Sequence, residues 1–175
     1  YATVRSVAAQ LDDKTTFMGF AGSPWTIATY MVNGQGSKDQ AATRRFAYRD
    51  EAAFSELIDA IVENTVIYLL GQIEAGVDAV QLFDSWAGSL SGADFERYAK
   101  EPARVITEAL KRRHPGIPVI AFPRQAGQGY VGFHAATGAD CAAVDDSVTP
   151  EWPAAHVQVS GCVQGTLASS HLVPG

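Results

Sequence analysis

Short apolar runs alternate along this chain with longer stretches of helical periodicity. The runs Thr15 to Phe20, Ala79 to Phe83, Ile117 to Phe122, Cys141 to Val144 and Cys162 to Gln164, each bounded by Gly, Pro or Asp, predict strands. From Glu51 to Ala75, the residues Phe54, Leu57, Ile58, Ile61, Val62, Thr65, Val66, Leu69 and Ile73 keep to one wide face. That segment predicts a long helix, capped by Asp50 and ended by Gly76. A second helix runs from Gly92 to His114, interrupted or restarted at Pro102, which suits a first helical position. Shorter helices are expected over Thr3 to Leu11, Lys38 to Tyr48, Gly129 to Thr137 and Pro150 to His156.

An internal echo orders these elements. The stretch from Ala75 to Ser85 is matched by that from Thr137 to Ser147: a helix end, a Gly-x-Asp turn, an apolar strand and a terminal Asp and Ser. Each reads as one junction of a repeating βα unit. Strands that are apolar on both faces suit an α/β fold whose parallel sheet is covered by helices. The repetition fits a (β/α)8 TIM barrel better than an open sheet. A closed barrel needs eight strands and about 250 residues, so residues 1–175 are expected to form about five βα units of a single barrel domain.

Composition narrows the function classes. The chain has 175 residues, 47% of them hydrophobic and 18% charged, as a soluble domain with a sizeable core would. No apolar run approaches the roughly 18 residues that span a bilayer, and nothing at Tyr1 reads as a signal peptide, so a cytoplasmic location and no membrane partner are expected. A net charge of −6 with scattered basic residues argues against nucleic acid. The one basic run, Lys111-Arg112-Arg113, falls at a helix end, where cations complement the dipole. Cys141 and Cys162 sit inside strand-like runs without metal-knuckle spacing and read as reduced core thiols. His114, His134, His156 and His171 show no paired ligand spacing, so each is expected to be a surface or helix-terminal residue, and no metal is expected. Gly34-Gln35-Gly36-Ser37 lacks the phosphate-loop frame and follows a helix-like segment, which makes it a lid or turn.

Two blocks carry the candidate chemistry. Gly19 to Val32 and Gln81 to Gly88 place Gly, Ser, Asp and aromatic residues directly after apolar runs, where parallel α/β proteins meet substrate. Tyr30 offers a phenol to a ligand or anchors its hydroxyl on the backbone. Ser85 offers a hydroxyl or caps the following helix. Asp84, at a strand end, is expected to fix a loop rather than act as an acid. Arg124 ends another strand and either faces an acidic substrate from the same rim or pairs within the barrel.

These blocks, with Gly34-x-Gly36-Ser37-Lys38, Arg44-Arg45, Pro118-Val119-Ile120, Arg124 and Val163-Gln164-Gly165, resemble the uroporphyrinogen decarboxylase family over nearly the whole chain. The resemblance implies a TIM barrel that needs no cofactor and removes carbon dioxide from the four acetate side chains of uroporphyrinogen III, giving coproporphyrinogen III. It further implies that Tyr30 and Ser85 contact substrate carboxylates, that Phe20 and Phe83 lie near the pocket floor, and that the complete protein is a homodimer. A protonated pyrrole can take up the electrons left by departing carbon dioxide, so the protein has to hold, desolvate and polarise its tetrapyrrole. Aromatic walls, hydroxyl donors and guanidinium groups suit that task.

The resemblance has departures. The family's arginine-rich substrate loop and the aspartate that gathers the pyrrole NH groups correspond to sequence ahead of Tyr1, and its pocket histidine to sequence after Gly175. This stretch alone is therefore expected to be inactive and, with two sheet edges and an inner core exposed, to associate. Gln164-Gly165 leads to Thr166-Leu167-Ala168-Ser169 where the family continues Asn-Leu-Asp-Pro, which removes hydrogen-bonding groups from the barrel rim. Two other readings are a non-catalytic tetrapyrrole-binding module and a zinc-dependent corrinoid or homocysteine methyltransferase of the same superfamily, which would need a thiolate and histidine set. A doubly wound nucleotide fold would need a glycine fingerprint that the sequence lacks.

Overall fold

The structure, a computed structural model, describes residues 1–37 and 39–173. Five short strands, β1 (Met18–Gly22), β2 (Ala79–Asp84), β3 (Val119–Pro123), β4 (Cys141–Ala143) and β5 (Cys162–Gln164), form one parallel sheet in sequence order. Helices fill the crossovers: α1 (Ala2–Ala8) precedes the sheet, and α2 (Pro24–Asn33), α3 (Ala41–Arg49) and α4 (Glu51–Ile73) separate β1 from β2. The next crossover holds α5 (Ala93–Phe95), a π turn (Glu96–Lys100) and α6 (Glu101–Arg113), and the last two hold α7 (Phe133–Thr137) and α8 (Glu151–His156). Strands joined only by helical crossovers, each beside its predecessor, make the expected run of about five βα units.

Burial separates the two faces of the sheet. Register partners lie on the same face, and Gly19, Ala21, Val80, Leu82, Val119 and Ala121 are buried beneath α4, α2 and α6. On the other face, Phe20 is 61% and Met18 36% exposed. Trp25 anchors the helical layer: its ring lies 6.0 Å from Phe54 and stacks 5.9 Å from Tyr98.

The predicted long helix is present from Glu51 to Ile73, and the Asp50 carboxylate accepts its cap hydrogen bond from the Ala53 N–H. Pro102 sits in the first turn of α6, but the π turn joins α5 and α6 into a nearly continuous helix. The segment Pro24–Asn33 is helical and ends where Gly34 takes a left-handed φ of 69°. The first expected strand starts late, at Met18, because Asp12 holds Lys14 and Thr15 in a turn. The Lys38 start of the third predicted helix lies outside the described residues, and the helix there begins at Ala41.

The echo has a physical basis. Asp78 and Asp140 each accept from a backbone N–H at the start of a neighbouring strand, Phe17 and Val119 respectively, both at 2.7 Å. Their own N–H groups donate back to the carbonyls of those same residues. The Gly-x-Asp turn is thus a reciprocal clamp between strand starts, used twice.

Two expectations change. Cys141 is buried as foreseen, but Cys162 is exposed: among the described residues β5 pairs with β4 alone. His134, expected near the surface, is 4% exposed, with the Gly161 backbone against its ring and neither ring nitrogen hydrogen-bonded among the described residues.

Candidate active site

Three aromatic side chains from adjacent strands form a row on the uncovered face. Phe20, Phe83 and Phe122 meet edge to face, with centroids 5.9 Å and 6.0 Å apart. The alternation of each strand directs these rings away from the helices; Phe83 and Phe122 are register partners, and Phe20, opposite Gln81 and so one step down the same face, meets Phe83 diagonally. The row gives the uncovered face a continuous apolar wall.

Polar groups gather where the strands end. Tyr30 lies on α2, 46% exposed, with its ring 6.4 Å from that of Trp86. Ser85 follows β2 and is half-buried, and the succeeding helical turn is capped at Trp86 without a side-chain bond, so the capping alternative for Ser85 does not occur. Arg124 follows β3 and is half-buried; among the described ion pairs it takes no part. Phe20 and Phe83 thus lie on the uncovered face, Ser85 and Arg124 directly follow the ends of β2 and β3, and Tyr30 reaches the β2 loop from α2 through its contact with Trp86.

The loops carrying these groups are tied to one another. The Arg124 N–H donates to the Asp84 carbonyl at 3.0 Å, and the Gly88 N–H to the Arg124 carbonyl at 2.9 Å. A Cβ at Gly88 would stand 2.6 Å from the Gln125 Cβ, so only glycine lets the β2 and β3 loops approach this closely. Trp25 Nε1–H donates to the Trp86 carbonyl and to Ser89 Oγ, both at 3.2 Å, which holds the β2 loop over α2.

Beneath this rim lies Asp84, on the helix side of the sheet. Its carboxylate accepts from the Thr26 hydroxyl at 2.7 Å, and that hydroxyl accepts from the Trp86 N–H at 3.3 Å. Complete burial raises the Asp84 pKa to about 7 against the opposing pull of Thr26 and the nearby Trp86 N–H. Asp84 thus fixes a loop, as expected, although mainly through a hydroxyl.

A second knot holds the β4 end. The Asp145 carboxylate accepts from the Gln125 N–H, from the Tyr130 hydroxyl at 3.1 Å and from Ser147. Burial would raise the Asp145 pKa, but the hydrogen bonds from Ser147, Gln125 and Tyr130 outweigh it and keep the carboxyl below its ordinary value. Sequence reasoning missed Thr26, Tyr130 and Asp145; the Asp-Asp-Ser run after β4 was the available signal.

An apolar recess of about 400 Å³ opens elsewhere, between α2, α4 and the outer edge of β1, lined by Ile27, Met31, Leu57, Ile61 and Tyr68. It has no share in the rim hydroxyls, and its walls are helix-packing surfaces, so the aromatic face is the better candidate. Among the described residues no cluster of His, Cys, Asp or Glu could hold a metal ion, and no helix is long and apolar enough to cross a membrane.

A parallel five-strand sheet in sequence order, joined by helical crossovers, is the architecture of a segment of a TIM-type barrel. The chain belongs to the uroporphyrinogen decarboxylase (URO-D) family, whose family model matches residues 1–175. It is 60% identical over 176 residues to a uroporphyrinogen decarboxylase of Rhodobacter capsulatus and 61% identical over 175 residues to one of Paracoccus denitrificans. A uroporphyrinogen decarboxylase of Ruegeria pomeroyi (strain ATCC 700808 / DSM 15171 / DSS-3) is 59% identical over 175 residues. Each match takes in 100% of this chain and 51% of the relative, so the chain spans about half the length of these curated relatives.

Proposed function

We propose that this segment belongs to a uroporphyrinogen decarboxylase and forms the half of its barrel that seats the macrocycle and several of its carboxylates. The observation that carries the reading is the continuous Phe20–Phe83–Phe122 row beside a rim of phenol, hydroxyl and guanidinium groups. In the reaction, the bond between an acetate methylene and its carboxyl carbon breaks. Carbon dioxide leaves, the electron pair passes into a protonated pyrrole, and the methylene regains a proton to become a methyl group. Tyr30 and Ser85 hold carboxylates by hydrogen bonds, Arg124 offers a guanidinium, and the aromatic floor excludes water around the ring. The pyrrole-gathering acid and the proton donor lie outside these residues. On this reading the complete protein works without a cofactor as a cytoplasmic homodimer.

A decarboxylation assay of the complete protein, reading products by chromatography after oxidation to porphyrins, tests the proposal. Conversion to the four-methyl product is expected. Tyr30→Phe removes one hydrogen bond to an ionised group, worth about 1.5–3 kcal/mol, and should lower kcat/KM roughly 10- to 100-fold. Unchanged turnover and affinity in that variant would remove Tyr30 from the site. The changed Thr166 to Ser169 loop favours a second reading, a binding module without turnover; tetrapyrrole binding without carbon dioxide release would establish it.

A further inference from the structure

Ser85 is held from both sides by one side chain. Asp84, the residue before it, accepts with its carboxylate from the Thr26 hydroxyl at 2.7 Å, and Trp86, the residue after it, donates its backbone N–H to that same hydroxyl at 3.3 Å. Thr26 also lies one helical turn before Tyr30 on α2, so its position is passed to Tyr30 through a single turn of backbone hydrogen bonds. The Thr29 hydroxyl donates to the Thr26 carbonyl at 2.7 Å and reinforces that turn. Thr26 is thus the point at which the helix carrying Tyr30 and the loop carrying Ser85 are joined, and the rings of Tyr30 and Trp86 meet beyond it at 6.4 Å.

Neither Thr26 nor Asp84 is placed to touch a ligand. Both are buried between β2 and α2, and β2 has β1 and β3 on its two sides, so segments of this chain alone supply the cover. The arrangement is costly, because the second Asp84 oxygen has no hydrogen-bond partner among the described residues. Attachment of α2 to β2 does not need it: the Ser23 N–H already donates to the Phe83 carbonyl at 2.8 Å. What the acid adds is direction. By accepting from Thr26 it turns the hydroxyl hydrogen toward β2 and leaves a lone pair for the Trp86 N–H.

We propose that Thr26 and Asp84 are positioning residues that set the Tyr30 phenol and the Ser85 hydroxyl relative to one another for carboxylate binding, an inference that rests on the function proposed above. Without the shared hydroxyl, Asp84 and the Trp86 N–H both lose a partner. Ser85 then moves with its loop and Tyr30 with its helix, each independently of the other. Displacements on the order of 1 Å are enough to spoil a site whose groups must act together.

The test measures kcat and KM for uroporphyrinogen decarboxylation by the complete protein. Thr26→Val keeps the branched shape, removes the hydroxyl and should lower kcat/KM about 10-fold; Thr26→Ser should return it to within about threefold of the unsubstituted value. In a background that already carries Tyr30→Phe and Ser85→Ala, Thr26→Val should cost no more than about twofold, because the groups it places are gone. Equal losses in the two backgrounds would overturn the proposal, since a general loosening of the fold acts on both. Unchanged kinetics in Thr26→Val, or no recovery in Thr26→Ser, would do the same. Circular dichroism and thermal melts check that each variant is folded; Thr26→Ala replaces Thr26→Val if valine unfolds the protein. Absence of turnover in the unsubstituted protein would remove the proposed function and this inference with it, whereas turnover with equal losses in both backgrounds removes the inference alone.

Discussion

Asp84 is the residue at which stability, pH and the candidate site meet. Its unfolded pKa is close to 3.8 and its folded value about 7, so between these limits the folded chain keeps a proton that the unfolded chain gives up. Stability contributed at Asp84 therefore falls as pH rises from about 4 to about 7 and is level above that, a total on the order of 4 kcal/mol. Asp84→Asn resembles the protonated acid and keeps an oxygen for the Thr26 hydroxyl. The difference in unfolding free energy between Asp84→Asn and the unsubstituted protein should be small near pH 4 and favour the variant by a few kcal/mol at pH 8. Parallel denaturant titrations across that range check it; parallel pH curves for the two proteins would mean that Asp84 ionises as an ordinary surface acid. The same substitution leaves Tyr30 and Ser85 untouched, so a loss of turnover with it would report the loop that Thr26 and Trp86 share rather than direct chemistry.

At the scale of elements, the repeated Gly-x-Asp junction explains why strands so short stay in register. The β4 ladder has three residues, too few to fix its own alignment, and Asp140 supplies the missing constraint by joining the Val119 N–H and pairing with Lys111 at 2.6 Å. Burial acts to raise the Asp140 pKa, but Lys111 and the Val119 N–H prevail and hold it below the ordinary value. Asp140→Ala should cost about 1–2 kcal/mol at neutral pH, allowing for solvent around the ion pair. Because a lowered acid pKa stabilises only above the unfolded value, the penalty should shrink as pH falls below about 4; thermal melts at pH 7 and pH 3 measure it. These junctions were legible in the sequence, since Gly, Asp and an apolar run are local signals, and so were the long helix and its Asp50 cap. Strand limits were less so: the chain from Thr15 to Phe17 looks extended, yet its backbone partners are Asp12 and Asp78 rather than a strand. Asp145 and Tyr130 became a knot only because Gln125, twenty residues before Asp145, turns its N–H toward it. Cys162 and His134 were misjudged for the same reason, because what covers a residue is set by distant segments and not by its neighbours in the chain.

For the 175-residue chain as a whole, the decisive feature is a sheet whose helix side is packed and whose other side, among the described residues, is bare. The aromatic row leaves Phe20 61% exposed, and the border strands β1 and β5 each have a side without a strand neighbour among the described residues. One border is partly closed: the Gln72 carboxamide, reaching from α4, accepts from the Phe20 N–H and donates to the Phe20 carbonyl, both at 3.0 Å. A side chain thus takes the place of a neighbouring strand at the middle of β1, which blunts edge-to-edge pairing. Gln72→Leu would strip both partners from Phe20 while keeping the side chain's bulk, costing about 1–3 kcal/mol and reopening the edge. The 175-residue chain produced by itself should therefore elute above its 18.6 kDa mass and shift further with concentration, and Gln72→Leu should lower the concentration at which this begins. Phe20→Ser should act in the opposite sense by weakening the apolar face while leaving the Gln72 bonds to its backbone in place. Analytical ultracentrifugation of the three chains distinguishes the two sources of association. If only Phe20→Ser changes it, the bare face governs; if only Gln72→Leu does, the strand edge governs; and a monomer with a cooperative melt in all three would show that the five βα units are a self-sufficient fold.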